Sequence, residues 1–230
     1  MYSVLITGGS SGIGRDIAYK LAETSSNVYI TGRDENKLQQ VIEGIEERGG
    51  TGFYRVADVR DSEQAEITVA DAIEKMGEIN VLLANAGVGR FKRLEEFTDD
   101  DFTIQFDTNV KGVFNYLRPV IKHMRDRDRG QIIVTSSNLG FETGARCGIY
   151  AATKYALQAM IGALRDELKG TGVKAATINP GSVDTPWYEG SNADRTKMLA
   201  VEDVTAAAML LINQNPSSDI DHILLKPGIN

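Results

Sequence analysis

The chain has 230 residues, 42% hydrophobic and 25% charged, the proportions of a folded domain and not of a disordered segment. Its formal net charge of −7 argues against nonspecific binding to nucleic acid or to an anionic membrane surface. The lone cysteine, Cys147, excludes an internal disulfide framework and any site built from several cysteines.

Short runs of β-branched and apolar residues recur along the chain: SVLIT (3–7), NVYIT (27–31), GFYRV (52–56), NVLLA (80–84), QIIVTS (131–136), VKAATI (173–178) and HILL (222–225). Most lack strict alternation, as expected of strands buried on both faces of a parallel sheet. Helical periodicity fills the intervals. Ile13, Ile17 and Leu21 repeat every four residues after the first run, and Leu38, Val41, Ile42 and Ile45 share a face after the second. Asp34 before ENKLQQVIEGI and Thr98 before DDDFTIQF read as helix N-caps. The charge run KHMRDRDRG (122–130) reads as a solvated helix end. This alternation predicts an α/β fold of one domain over 1–230, a doubly wound, mostly parallel Rossmann-type sheet of about seven strands with helices on both faces. No apolar run reaches the ~18–20 residues of a membrane span, and MYSVLITGG is unlike a secretory leader, so a cytoplasmic protein is expected.

TGGSSGIG (7–14) joins the first strand to the first helix. Gly8, Gly12 and Gly14 suit a tight turn, close backbone approach and close helix packing, and the helix N-terminus presents free N–H groups to a pyrophosphate. The second strand ends in Thr31-Gly32-Arg33, without a carboxylate to accept from an adenosine 2′-hydroxyl. Arg33 suits a 2′-phosphate through its planar fork. Asp34 is the competing reader of the ribose, with helix capping as its alternative role. NADP(H) is expected over NAD(H).

Tyr150 and Lys154 stand four residues apart in IYAATKYALQAM, thirteen residues after Ser137. On a helix they share a face, where an ammonium would stabilise a phenolate and lower the phenol's pKa. The pair therefore reads as a tuned acid and base.

Together these motifs resemble the short-chain dehydrogenases/reductases over essentially the whole chain. TGGSSGIG is similar to that family's cofactor loop, with Ser10, Ser11 and Ile13 beside its glycines. Asp58-Val59 resembles the pair that meets the adenine. Asn85-Ala86-Gly87 resembles the turn after the fourth strand. Asn109, Ser137, Tyr150 and Lys154 match the catalytic set, and PGSVDT (180–185) is similar to the segment that holds the nicotinamide. The resemblance implies that Tyr150 transfers the substrate proton and Ser137 donates to the reacting oxygen. It implies that Lys154 also holds the nicotinamide ribose, and that Asn109 positions a water linking Lys154 to solvent, with bracing of a helix kink as its alternative. Pro180, Gly181, Val183 and Thr185 would hold the carboxamide end.

Residues 186–200 fall where the family carries a variable lid. Trp187, Tyr188 and Met198 are expected in that lid, with Phe91 and Phe141 as walls, which favours ketones, aldehydes or diketones over polyols. Cys147 reads as a small buried hydrophobe that borders the pocket in the alternative. His123 and His222 belong to no visible triad or metal pattern, and no metal is expected. The expected activity is hydride transfer between NADP(H) and a carbonyl or secondary alcohol, as in carbonyl reductases and alcohol dehydrogenases. The alternatives are a 3-oxoacyl-carrier-protein reductase and a non-catalytic NADPH-binding sensor. The resemblance also implies a homodimer or homotetramer.

Overall fold

The strand runs and the helical stretches between them close into one parallel sheet in the computed structural model, which describes residues 1–228. The strands are β1 (Ser3–Thr7), β2 (Asn27–Gly32), β3 (Thr51–Val56), β4 (Val81–Ala84), β5 (Gly130–Thr135), β6 (Val173–Pro180) and β7 (His222–Leu225). Their order across the sheet is β3-β2-β1-β4-β5-β6-β7, and every neighbouring pair is parallel. Strand β6 runs to Pro180, two residues beyond the expected end, because Gly181 N still donates to Leu225 O at 2.8 Å. No helix among the described residues is long and apolar enough to cross a membrane.

The pleat sorts the core into two layers. Val4 and Ile6 face one side, packed against α1 (Gly12–Ala22), α2 (Glu35–Glu46) and α7 (Val201–Ile212). Leu5 faces the other, against α3 (Ser62–Met76), α5 (Gly112–Asp126) and α6 (Gly148–Glu167). The central strands β1, β2, β4, β5 and β6 are therefore buried along nearly their whole length because both faces are covered, whereas the edge strands β3 and β7 are partly exposed. Each fully buried aliphatic side chain of this kind stabilises the fold by about 1.5–3 kcal/mol. Packing on this scale outweighs the caps, each of which adds about 1 kcal/mol.

The caps nevertheless fix where helices begin. Asp34 Oδ1 accepts from Lys37 N at 3.2 Å at the start of α2. Thr98 and Asp101 exchange bonds at 3.2 and 3.1 Å at the start of α4 (Asp99–Phe106). Between α4 and α5 the backbone widens into a π-helical turn, Asp107–Lys111, with Asn109 at its centre. The run 122–130 closes α5 as expected, and Arg127 and Arg129 both pair with Glu78 at 2.7 Å. His123 is a structural residue, accepting from Ile79 N at 3.2 Å.

Strand β1 sits where the order reverses, its chain neighbour β2 on one side and β4 on the other. At such a switch point the loops leaving the strand ends part to opposite faces and open a crevice above the sheet.

Candidate active site

A cleft of about 590 Å³ occupies that crevice, reaching from Arg33 and Asp58 at one end to Trp187 and Tyr188 at the other. Its floor is the turn between β1 and α1. Gly8 has φ +66°, and a Cβ there would lie 2.8 Å from Ala86 Cα. At Gly14 the added Cβ would stand 2.4 Å from Gly8 O, so only glycine lets α1 start this close to the strand end. The turn after β4 is stitched to this floor. Asn85 N and Ala86 N donate to Thr7 Oγ1 at 3.0 and 3.2 Å, and Asn85 Nδ2 donates to Gly8 O at 3.2 Å. Ser10, Ser11, Gly12 and Ile13 line the cleft beside it, whereas Gly14 acts from beneath by permitting the packing.

At the far end of the floor the cleft is basic. Arg33 and Lys37 both line it and are exposed. Asp34 does not line it; its carboxylate is taken up in capping α2, the alternative role expected for it. Asp58 and Val59 form the adjoining wall. Asp58 receives Arg60 Nη2 at 2.5 Å and Arg60 N at 3.0 Å, and these bonds hold its carboxyl below the usual carboxylate range.

In the middle, Ser137 follows β5 while Tyr150 and Lys154 lie on the first turns of α6. All three line the cleft with Asn85, Ala86, Gly87, Pro180, Gly181, Val183 and Thr185. Lys154 Nζ donates to Thr135 O at 3.0 Å and stands 5.5 Å from the Tyr150 ring centre. Burial pulls its pKa down to about 8. The phenol moves the other way: desolvation raises its pKa above the ordinary tyrosine value, the polar Ser137 side chain pulls back, and Tyr188 adds to the rise. The expectation that Lys154 lowers the Tyr150 pKa therefore fails for the protein by itself. Loss of water outweighs an ammonium that is turned toward a backbone carbonyl.

Asn109 is buried and braces this centre. Its Nδ2 donates to Val88 O at 2.8 Å and Thr153 Oγ1 at 3.0 Å, while its Oδ1 accepts from Val88 N at 2.8 Å. Both of its N–H donors are spent on joining the loop after β4 to α6. Its side chain thus ties the π-helical turn to the loop after β4 and to α6.

The remaining end is aromatic. Phe91 and Trp187 flank the Tyr150 ring, with centroids 5.4 and 6.1 Å away, and Tyr188 completes the wall. Phe141 lies outside the cleft. The short 3-10 turn Asn138–Gly140 carries the chain outward, so the Phe141 ring packs on His222 at 5.1 Å and Asn138 and Leu139 line the cleft in its place. Met198 and Cys147 also lie outside it; the Cys147 thiol is buried and donates to Gly144 O at 2.8 Å.

The sequence profile described as short chain dehydrogenase matches residues 2–196. The chain belongs to the short-chain dehydrogenase family. Among its relatives, a 3β-hydroxysteroid dehydrogenase of Mediterraneibacter gnavus is 33% identical over 200 residues, covering 86% of this chain and 72% of the relative. An uncharacterized oxidoreductase of Staphylococcus saprophyticus is 31% identical over 224 residues, covering 97% and 96%. Among solved structures, an alcohol dehydrogenase from the archaeon Thermococcus sibiricus, complexed with 5-hydroxy-NADP, superposes with a TM-score of 0.91. It is 27% identical and covers 99% of this chain and 97% of that one. A short-chain dehydrogenase from Burkholderia cenocepacia in complex with NADP gives a TM-score of 0.90 at 28% identity, with coverage of 99% and 97%.

Within this short-chain dehydrogenase the sequence reading missed Lys37, Val88, Asn138, Leu139, Ser182 and Glu189 on the cleft wall. Lys37 alone carried a usable signal: three residues beyond the Asp34 cap, it lies on the first turn of α2, close in the chain to Arg33. The others reach the cleft through loops and the short 3-10 turn Asn138–Gly140, which leave no periodicity to read.

Proposed function

We propose that this protein is an NADP(H)-dependent oxidoreductase that exchanges a hydride between nicotinamide and a carbonyl compound or secondary alcohol, with Tyr150 as general acid and base. The observation that carries the reading is the continuity of one cleft, in which a helix N-terminus and two cations at one end lead to Ser137, Tyr150 and Lys154 at the other. The turn fits a pyrophosphate on its own geometry: Gly8 and Gly14 let α1 start tight against the strand end, Ser10, Ser11, Gly12 and Ile13 line the cleft there, and the Ser11 side chain leaves the first N–H groups of α1 uncapped. Arg33 and Lys37 suit a 2′-phosphate, and the Asp34 carboxylate that would read a ribose hydroxyl is engaged elsewhere. Structures with NADP among the family neighbours are consistent with this choice.

When bound, the nicotinamide would supply or take the hydride, its oxidised ring bringing positive charge to the centre. Tyr150 would give its proton to the carbonyl oxygen during reduction and take the hydroxyl proton during oxidation. Ser137 would donate to the same oxygen, whose negative charge grows as the reaction proceeds. Lys154 would hold the cofactor's ribose and stabilise the phenolate, giving up its bond to Thr135 O as it turns. Pro180, Gly181, Val183 and Thr185 would position the carboxamide. At the substrate end the aromatic wall and Glu189 favour uncharged carbonyl compounds over acidic ones.

A turnover screen with NADPH and NADH against ketones, diketones, sugars and acyl thioesters tests this reading. Tight NADPH binding without turnover of any of them would favour the sensor alternative. Arg33→Ala is expected to weaken NADPH about 10–100-fold, the worth of a charge-assisted pair, and to leave NADH within about threefold. Equal losses for both cofactors in fluorescence titrations would refute the 2′-phosphate assignment. Ser137→Ala is expected to lower kcat about 10–100-fold with little change in KM; a pure KM effect would remove Ser137 from the chemical step.

A further inference from the structure

The loop after β4 and the turn after β6 form opposite walls of the cleft, and they meet at two residues. A Cβ added to Gly89 would stand 2.6 Å from Trp187 Cζ2 and 3.1 and 3.2 Å from Phe91 Cε2 and Cζ. The φ of Gly89 is not in the left-handed region, so the backbone does not require glycine there. What is required is the space.

Both walls are anchored from behind. On the Gly89 side, Arg90 N donates to Gln105 Oε1 at 3.0 Å, and the buried Asp101 pairs with Arg90 and, at 2.6 Å, with Lys92. On the Trp187 side, Asp184 N donates to Leu199 O at 2.9 Å, Asp184 pairs with Arg195, and Arg195 donates to Thr185 O at 3.3 Å. The indole itself is 44% exposed and outside the core, so Gly89 and the Tyr150 ring are what locate it. With the walls fixed, the indole is the adjustable part of the compartment.

We propose that Gly89 and Trp187 together determine which substrates fit: the missing Cβ lets the indole seat against the loop, leaving a flat slot between Phe91 and Trp187 over Tyr150. The slot takes carbonyl compounds that are planar or unbranched beside the carbonyl and rejects those carrying a quaternary carbon there. This rests on the function proposed above, because the slot matters only if a carbonyl must reach the Tyr150 hydroxyl.

The test compares acetophenone with 2,2-dimethyl-1-phenylpropan-1-one as substrates, with NADPH oxidation as the readout. Wild type is expected to favour acetophenone about 10–200-fold in kcat/KM, the range a steric mismatch in an apolar pocket supplies. Trp187→Ala should cut that ratio about tenfold or more, and Gly89→Ala should also lower it by displacing the indole. A ratio unchanged in both variants overturns the proposal.

A second readout does not depend on turnover. Trp187 is the only tryptophan in the chain, so intrinsic emission reports its surroundings directly. Gly89→Ala should shift the emission to the red and raise its quenching by acrylamide; emission identical to wild type refutes the contact. Should wild type turn over none of the carbonyl compounds in the screen above although NADPH binds, the proposed function is at fault and the emission decides the Gly89–Trp187 contact alone; turnover of other carbonyl compounds but of neither ketone overturns the slot.

Discussion

Tyr150→Phe is expected to lower kcat about 10²–10⁴-fold while NADPH affinity stays within a few-fold, because only the proton-transferring oxygen is removed. The variant keeps the ring that Phe91 and Trp187 flank, so the aromatic wall stays in place. What it loses besides chemistry is a single hydroxyl, a matter of about 1 kcal/mol in stability. The comparison therefore separates the two roles. Steady-state rates with intact NADPH binding and a melting point near wild type would place the loss in the chemical step. Turnover at the wild-type rate would end the claim that Tyr150 moves the proton.

Lys154→Met is expected to do two opposite things, abolishing measurable turnover and stabilising the cofactor-free protein. Burial lowers the Lys154 pKa from 10.5 to about 8, so the folded chain holds fewer protons than the unfolded chain between those values. Stability of the wild type therefore rises with pH across that window. Below pH 8 the full cost of keeping a buried ammonium charged applies, about 3 kcal/mol at 1.36 kcal/mol per pKa unit. Methionine fills nearly the same space without that cost, but it leaves Thr135 O without its donor. The net expectation is a gain of about 1–2 kcal/mol near neutral pH, shrinking toward pH 10 as the wild-type lysine neutralises. Urea unfolding of both proteins from pH 7 to 10 measures it. A variant less stable than wild type at pH 7, or a difference that does not change with pH, would refute the account of Lys154 as a group held charged against its surroundings.

The parts of the fold written in short-range patterns were legible in the sequence. SVLIT is β1 residue for residue, buried throughout, and HILL is β7, a short apolar run at the edge of the sheet that is legible although only partly buried. Asp34 and Thr98 cap the helices they precede, since a cap depends only on the next three residues. Ser137, Tyr150 and Lys154 share a cleft because regular elements carry them there. Legibility failed where position depends on loop paths or on competing energies. Phe141 faces His222, a consequence of a single 3-10 turn. The direction of the Tyr150 shift depends on where Lys154 points, and spacing along a helix says nothing of that. Asn109 could be found in the sequence, but its three bonds to Val88 and Thr153 exist only once the loop after β4 has met α6.

The placement of β1 in mid-sheet has a consequence for biosynthesis. Its partner β4 begins roughly seventy residues later in the chain, a wait of roughly 4–15 s at typical translation rates. Through that interval one long side of a strand with the apolar centre Val4-Leu5-Ile6 has no neighbour, although α1 and β2 have already emerged. An unpaired strand edge is where nascent chains cross-associate. The strand that carries the phosphate turn is thus the segment in greatest need of chaperone cover while the ribosome is still at work.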